Sequence, residues 1–267
     1  MPSLGPPSQI LTSTDPPISW LIPELLPRSY FVTLIAESGI GKSTLSYAIS
    51  LAIATQTPIL GRTPVRPQNV LYFDQENSEP DCKEYLRQAW YGLGRPSLPL
   101  IDKHLAIEHM SLGGRDWTQK ALAAVQRHQP ALIVFDTAVS CAPPQTQKGE
   151  DDNAEAAKAI TFIRFLQSSV QPVPASALVL KHALTFMQSD KEKGKEPDLR
   201  GAKGWRNMAD SVLFLMKKAG HPPKDGLHKT RLFALKSRAF GMRQEIHITP
   251  SRTDAGKGLR LEVSVPD

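Results

Sequence analysis

The chain has 267 residues, a formal net charge of +6 and 40% hydrophobic residues, enough to build one large α/β domain around a substantial core. No run of about 20 apolar residues is present, and the first residues lack the basic and apolar regions of a signal peptide. A membrane protein and a secreted one are therefore set aside, and the expected location is cytoplasmic. Its two cysteines, Cys82 and Cys141, have no histidines at ligand spacing, which argues for reduced thiols and against a zinc site.

A leader over residues 1–17, with five prolines, reads as loosely ordered, and residues 18–267 read as a single domain. In chain order, "YFVTLIA" (30–36) is a buried-type strand and "KSTLSYAISLAIAT" (42–55) has helical spacing of apolar residues. "NVLYFD" (69–74) predicts a second strand and "PDCKEYLRQAWYG" a helix; "LAIEHM" (105–110) predicts a short strand. "WTQKALAAVQRH" (117–128) is helical and leads into "ALIVFD" (131–136), an apolar run ending in aspartate. "NAEAAKAITFIRFLQSS" (153–169) is an amphipathic helix with Asp152 or Asn153 as cap, and "SALVLKH" (176–182) is the next strand. The last predicted strands are 210–217, 231–237, 243–249 and 260–265. Strand–helix alternation implies right-handed βαβ units and a mostly parallel sheet covered on both faces. Short turns between the last strands imply an antiparallel extension at one edge.

"AESGIGKST" (36–44) matches the phosphate-binding loop Gly-x-x-x-x-Gly-Lys-Ser/Thr except that Ala36 stands at the opening position. The tripeptide Gly41-Lys42-Ser43 alone is weak. Its place between a buried strand and a helix is what the mechanism requires, because successive backbone N–H groups at a helix N-terminus form an anion nest. Ala36 is harmless at the end of a strand if its φ is negative, whereas Gly39 and Gly41 are expected to need glycine's freedom. Glu37, Ser38, Gly39, Ile40, Gly41, Lys42, Ser43 and Thr44 are the candidate cradle for a triphosphate. Lys42 would reach its outer phosphates and Ser43 would place a hydroxyl on Mg²⁺. Such a loop predicts a second Mg²⁺ group, an aspartate closing a later apolar strand, and Asp136 supplies it, followed by Thr137. A carboxylate at the end of a neighbouring strand, Glu76 or its competitor Asp74, is the candidate general base.

The order of these parts resembles RecA-type P-loop ATPases, and within them the RepA-like hexameric helicases of plasmids and phages, related to DnaB-like helicases. The likeness runs from about Trp20 to Thr249. It implies a RecA-like core, ATP as nucleotide, Mg²⁺, and a homo-oligomer, a hexameric ring. Glu76 falls where the family's "AED"-like segment carries its catalytic glutamate. "LVLKHALTF" is similar to the strand ending in His-His, so His182 corresponds to a polar sensor of the γ-phosphate. "DLRGAKGWRNMADSVLFL" resembles the family's "RGSSAL…ADAVL" stretch. "FALKSRAFG" looks like its "K-x-R-x-G" stretch, which makes Lys236 and Arg238 candidates for a finger reaching the neighbour's γ-phosphate, with Arg200 and Arg206 as alternatives. ATP, as against another nucleotide, follows from the resemblance; no base pocket is apparent in the sequence.

Residues 200–243 hold eleven Lys/Arg against Asp210 and Asp225, a local balance of +9 that leaves the rest of the chain at about −3. In RecA-type rings the loops after the strands bearing Asp136 and His182 face the central channel. The second of these carries Lys191, Lys193, Lys195, Arg200, Lys203 and Arg206 as candidate contacts to single-stranded DNA, with Phe186 or Trp205 to stack on a base. The expected function is an ATP-driven helicase or translocase on single-stranded DNA. The alternative is an ATP-dependent oligomeric switch, loader or recombination mediator, in the manner of KaiC-like modules. No primase-binding domain precedes the core, so a primase or initiator would be a separate chain.

Overall fold

The structure is a computed structural model and describes residues 6–12, 18–109, 116–137, 153–183, 203–218, 227–238, 245–253 and 256–264. A short helix α1 (Pro7–Thr12) lies within the proline-rich leader, and β1 (Trp20–Ile22) pairs antiparallel with β2 (Leu26–Pro27) in a small ribbon. Then follow β3 (Phe31–Ala36), α2 (Lys42–Thr55), β4 (Val70–Asp74), α3 (Glu79–Gly92), α4 (Leu98–His104), β5 (Leu105–His109), α5 (Trp117–His128) and β6 (Leu132–Asp136). The remaining elements are α6 (Asn153–Ser168), β7 (Ser176–His182), α7 (Lys203–Met208), β8 (Ser211–Lys217), β9 (Thr230–Ser237), β10 (Ile246–Thr253) and β11 (Gly258–Ser264). Nine strands form one sheet in the order β11-β10-β9-β8-β3-β7-β6-β4-β5. Neighbours from β8 to β5 are parallel, and β8 through β11 continue antiparallel. The α/β architecture is as expected.

β3, β4 and β6 are buried along their whole length, as the uninterrupted apolar runs of a doubly covered parallel sheet require. Two core clusters lie on opposite faces. One joins α2 and the ribbon to Leu34, Tyr72, Val134 and Leu180; the other joins α5 and α6 to Phe31, Phe73, Phe135 and Val179. α2 is buried almost all round, so it reads as a core helix with no polar face. Helix α3 starts at Ser78, whose Oγ accepts from Asp81 N–H, with Pro80 and the acidic Glu79 and Asp81 in its first turn. The ribbon, α1, α4 and α7 were not predicted; each is too short to carry a full hydrophobic period.

β10 runs past its predicted end at Thr249 and through Pro250. Its pairing with β9 spans only Ile246–Ile248, while Pro250 pairs with Leu261 of β11. On its β9 side Pro250 is already edge, where a strand tolerates a missing N–H. β11 in turn packs on α3. A Cβ at Gly92 would sit 1.9 Å from the carbonyl oxygen of Leu259, so only glycine permits this approach of α3 to the strand. The sheet thus curls until its last strands face the α2–α3 layer.

Asp210 pins the start of β8 to β3. Its Oδ2 accepts from Phe31 N–H at 3.0 Å, and Oδ1 pairs with Arg238 at 3.1 Å and Arg164 at 3.5 Å. Asp210→Ala leaves the Phe31 N–H unsatisfied and strands two guanidinium groups, a cost of about 2 kcal/mol. A melting temperature lower by roughly 4–8 °C in thermal denaturation is expected.

Candidate nucleotide site

Strand register brings the site together. Ala36 aligns with His182, and Asp74 with Asp136, so the ends of β3, β7, β4 and β6 share one edge. Ligands of open α/β sheets bind at this edge, outside the carboxyl ends of the strands. A cavity of about 390 Å³ opens there, lined by the loop residues Ser38 to Leu45 and by Glu76, Asp136 and His182.

The loop between β3 and α2 has the conformation its glycines allow. Gly39 has φ +73° and Gly41 φ +97°, and a Cβ at either would meet nothing within 4 Å. It is the left-handed backbone that calls for glycine at these positions. Ala36 is buried as the last residue of β3 and keeps a negative φ, which accounts for the tolerated departure from the motif. Gly41 caps α2 without a side chain to satisfy the first-turn amides; those N–H groups and the helix dipole make an anion cradle.

Lys42 Nζ donates to the carbonyls of Ala36 (3.4 Å) and Glu37 (3.3 Å) and lies 3.1 Å from His182 Nδ1. An ammonium can only donate, so Nδ1 accepts and the ring's proton sits on Nε2. From there it is donated to Glu76 Oε1 at 2.9 Å. Lys42, His182 and Glu76 therefore form one hydrogen-bonded chain across the cavity. The bond from His182 holds the Glu76 carboxyl below its ordinary range against the opposing effect of burial, helped by Thr137 and the Lys42 charge. Ionised, partly exposed and facing the cavity, Glu76 has what a base needs.

Asp74 is fully buried and spent on internal bonds. It accepts from the Tyr47 hydroxyl at 2.9 Å and from the backbone and side chain of Asn77 at 3.0–3.1 Å. Asp136 is equally buried. Tyr72 OH donates to its Oδ2 at 2.9 Å and Asn77 Nδ2 at 3.3 Å. Burial pushes the Asp136 carboxyl up to about 6; the neighbouring Ser43 hydroxyl tempers this and the Asp74 charge adds to it. Oδ1 has no well-formed hydrogen bond, and an orphaned buried carboxylate oxygen next to Ser43 fits a hard cation. No cluster of three or more His, Cys, Asp or Glu at metal-binding spacing occurs among the described residues, so Mg²⁺ would take Ser43, Asp136, phosphate oxygens and water.

Sequence reasoning missed Tyr47, Tyr72 and Asn77. The two tyrosine rings stack at 4.2 Å with their hydroxyls on Asp74 and Asp136. The available signal was alternation, which puts Tyr72 on the face of Asp74, and the position of Asn77 beside Glu76.

Lys236 and Arg238 are brought together, but at the other end of the sheet. Lys236 Nζ donates to the carbonyls of Asn207 and Ala209, and Arg238 pairs with Asp210. Ser237 aligns with Ser211, and Ser211 with Val32, so neither cation reaches the cavity of its own chain. Lys191, Lys193, Lys195, Arg200 and Phe186 lie outside the described residues, as do the side chains of Lys203 and Arg206 on α7. Trp205 is a correction. It is 3% exposed, stacked on Phe31 at 6.3 Å with Lys181 over its ring, so the core occupies the face a nucleic-acid base would need. Cys82 is buried, and burial pushes its thiol up to about 12, which makes it unreactive. No helix among the described residues is long and apolar enough to cross a membrane.

A family model described as an AAA domain matches residues 6–182. Among solved structures the chain is similar to a KaiC-like protein from the hyperthermophilic archaeon Pyrococcus horikoshii OT3, with a TM-score of 0.54 and 14% identity over 88% of this chain and 90% of that one. This likeness establishes the RecA-like fold. No curated protein matches the sequence.

Proposed function

The chain belongs to the AAA domain family of P-loop ATPases, and from that premise we propose that it is a Mg²⁺-dependent, oligomeric ATP-driven motor on single-stranded DNA. The observation that carries the reading is the chain Lys42–His182–Glu76. It joins the phosphate cradle, the water-activating carboxylate and the end of β7, from which the lysine-containing segment 184–202 follows. In this reading Lys42 turns from the Ala36 and Glu37 carbonyls to the outer phosphates, and the α2 amides hold the inner ones. Glu76 takes the proton of the attacking water while His182 orients its carboxylate. Ser43 and Asp136, the latter fixed by Tyr72 and Asn77, would hold Mg²⁺, which would supply charge neutralisation at the phosphates. Loss of the γ-phosphate would alter the bonds of His182 and so reach segment 184–202.

A homo-oligomer, in the form of a hexameric ring, fits the absence of Lys236 and Arg238 from their own chain's site: from a neighbour they would supply transition-state charge. The second reading is an ATP-dependent switch or loader acting on a separate primase, initiator or other protein, in the cytoplasm. It is favoured by the bonds that already engage Lys236 and Arg238 within the chain. Steady-state ATP hydrolysis with and without an oligothymidylate separates the two. The motor predicts stimulation severalfold, lost in about 0.3 M salt as phosphate contacts are screened. Turnover indifferent to DNA, together with ATP-dependent assembly, would select the switch.

A further inference from the structure

Glu76 is held along the chain from both sides. Before it, Gln75 N–H donates to the Asp136 carbonyl at 2.9 Å and carries the β4–β6 ladder one residue further. After it, Asn77 is tied to three strands. Its backbone N–H donates to Asp74 Oδ1 at 3.1 Å, and its Nδ2 reaches both Asp74 oxygens at 3.0 Å and Asp136 Oδ2 at 3.3 Å. The third strand is β5: the Asn77 carbonyl lies 2.8 Å from His109 Nε2, with Cys82 Sγ a more distant donor at 3.9 Å. A carbonyl can only accept, so the His109 ring carries a proton on Nε2. Register and alternation bring His109 there. β5 is the edge strand, and its last residue aligns with Asp74. Glu108 pairs with His128 of α5 at 3.7 Å, whereas Leu105 and Ile107 pack on the α2 core. Alternation gives His109 the face of Leu105 and Ile107, which is also the face that α3 covers.

We propose that His109 is a positioning residue for hydrolysis, acting through the Asn77 main chain to fix Glu76, a role that rests on the ATPase reading above. Glu76 is braced from β7 through its own carboxylate and from β5 through its neighbour's carbonyl. In the sheet β6 and β4 lie between those two strands, so the braces pull from opposite sides. His109 does not line the cavity, and Asn77 is its route to the reacting groups. As an exposed residue at a strand end it adds little to stability. A base displaced by a fraction of an ångström costs far more in rate than in folding. The brace is no pH switch, because neutral imidazole with its proton on Nε2 and imidazolium both donate to a carbonyl.

Steady-state kcat and KM for ATP, calorimetric ATP affinity with Mg²⁺ and thermal melting test this on the wild type, His109→Ala, His109→Gln and His109→Asn. Glutamine places its amide nitrogen where Nε2 stands and asparagine where Nδ1 stands, so only glutamine can donate to Asn77. His109→Ala and His109→Asn are expected to lower kcat about tenfold or more. KM and ATP affinity should stay within about twofold, and melting within about 2 °C. His109→Gln should recover most of the lost kcat. Wild-type kcat in His109→Ala would overturn the role. So would equal losses in His109→Gln and His109→Asn, or ATP affinity and melting that fall together with kcat. A wild type that hydrolyses no ATP would instead bring down the ATPase reading, and this role with it.

Discussion

Glu76→Gln is expected to lower steady-state ATP turnover by about two to four powers of ten, the usual contribution of a positioned general base, while ATP affinity stays within a fewfold. Glutamine keeps an oxygen that accepts from His182 Nε2 and so preserves the chain to Lys42, but it cannot take a proton from water. Glu76 suits the role by position, because it lines the cavity partly exposed and is oriented by the bond from His182, which also holds its carboxyl below the ordinary range. Lys42→Ala should differ in kind and lose ATP binding itself, since the charge that meets the outer phosphates is gone. Asp74→Asn is the control for the competing carboxylate, which is buried under Tyr47 and Asn77. Turnover in Glu76→Gln above a tenth of wild type, with Asp74→Asn inactive, would move the base to Asp74.

Asp136→Asn is expected to make the nucleotide-free protein more stable and the enzyme inactive. The carboxyl moves from an ordinary value of 3.8 to about 6 because it is desolvated, so folding disfavours its charged form. Its stabilising protonated state is fully present below the unfolded pKa and lost as pH rises through about 6. At pH 8 the folded protein therefore carries a cost of about 3 kcal/mol that asparagine does not. The amide oxygen can still accept from Tyr72 and Asn77. Differential scanning fluorimetry without Mg²⁺ or ATP should show the variant melting roughly 5–10 °C higher at pH 8, with the gap closing toward pH 4. A variant no more stable than wild type at pH 8 would mean that Asp136 carries no such burden, and that its orphaned Oδ1 is no sign of a cation site. Site residues often carry a cost of this kind, which a bound ion then offsets.

Much of the fold was legible because parallel strands announce themselves: the near-continuous apolar runs at 31–36, 70–74 and 132–136 are the mark of strands covered on both faces. The phosphate loop was legible for a local reason, since Gly39 and Gly41 at positive φ, Lys42 and Ser43 all fall within one short stretch of chain. The short α4 and α7 were not, because six or seven residues contain too little periodicity. Trp205 misled: an aromatic in a basic segment suits nucleic acid in a linear reading, and only the packing of α7 on the sheet puts it against Phe31.

The sequence by itself thus determined the chemistry on offer: an anion cradle, a lysine, a hydroxyl, and carboxylates at the ends of buried strands. Tertiary structure decided which of them meet. Asp74 and Glu76 are two residues apart and equivalent as letters, yet Tyr47 from α2 claims the first and His182 from β7 faces the second. Lys236 and Arg238 carry the charge for a phosphate but sit at the far edge, because antiparallel pairing of β9 with β8 runs their end back toward Asp210. The last strands reach α3 only because the sheet curls around that helix and Gly92 lets β11 close in. Local propensity and spacing are written within a few residues; register, curl and long-range hydrogen bonds join positions far apart in sequence, where only packing selects the partner.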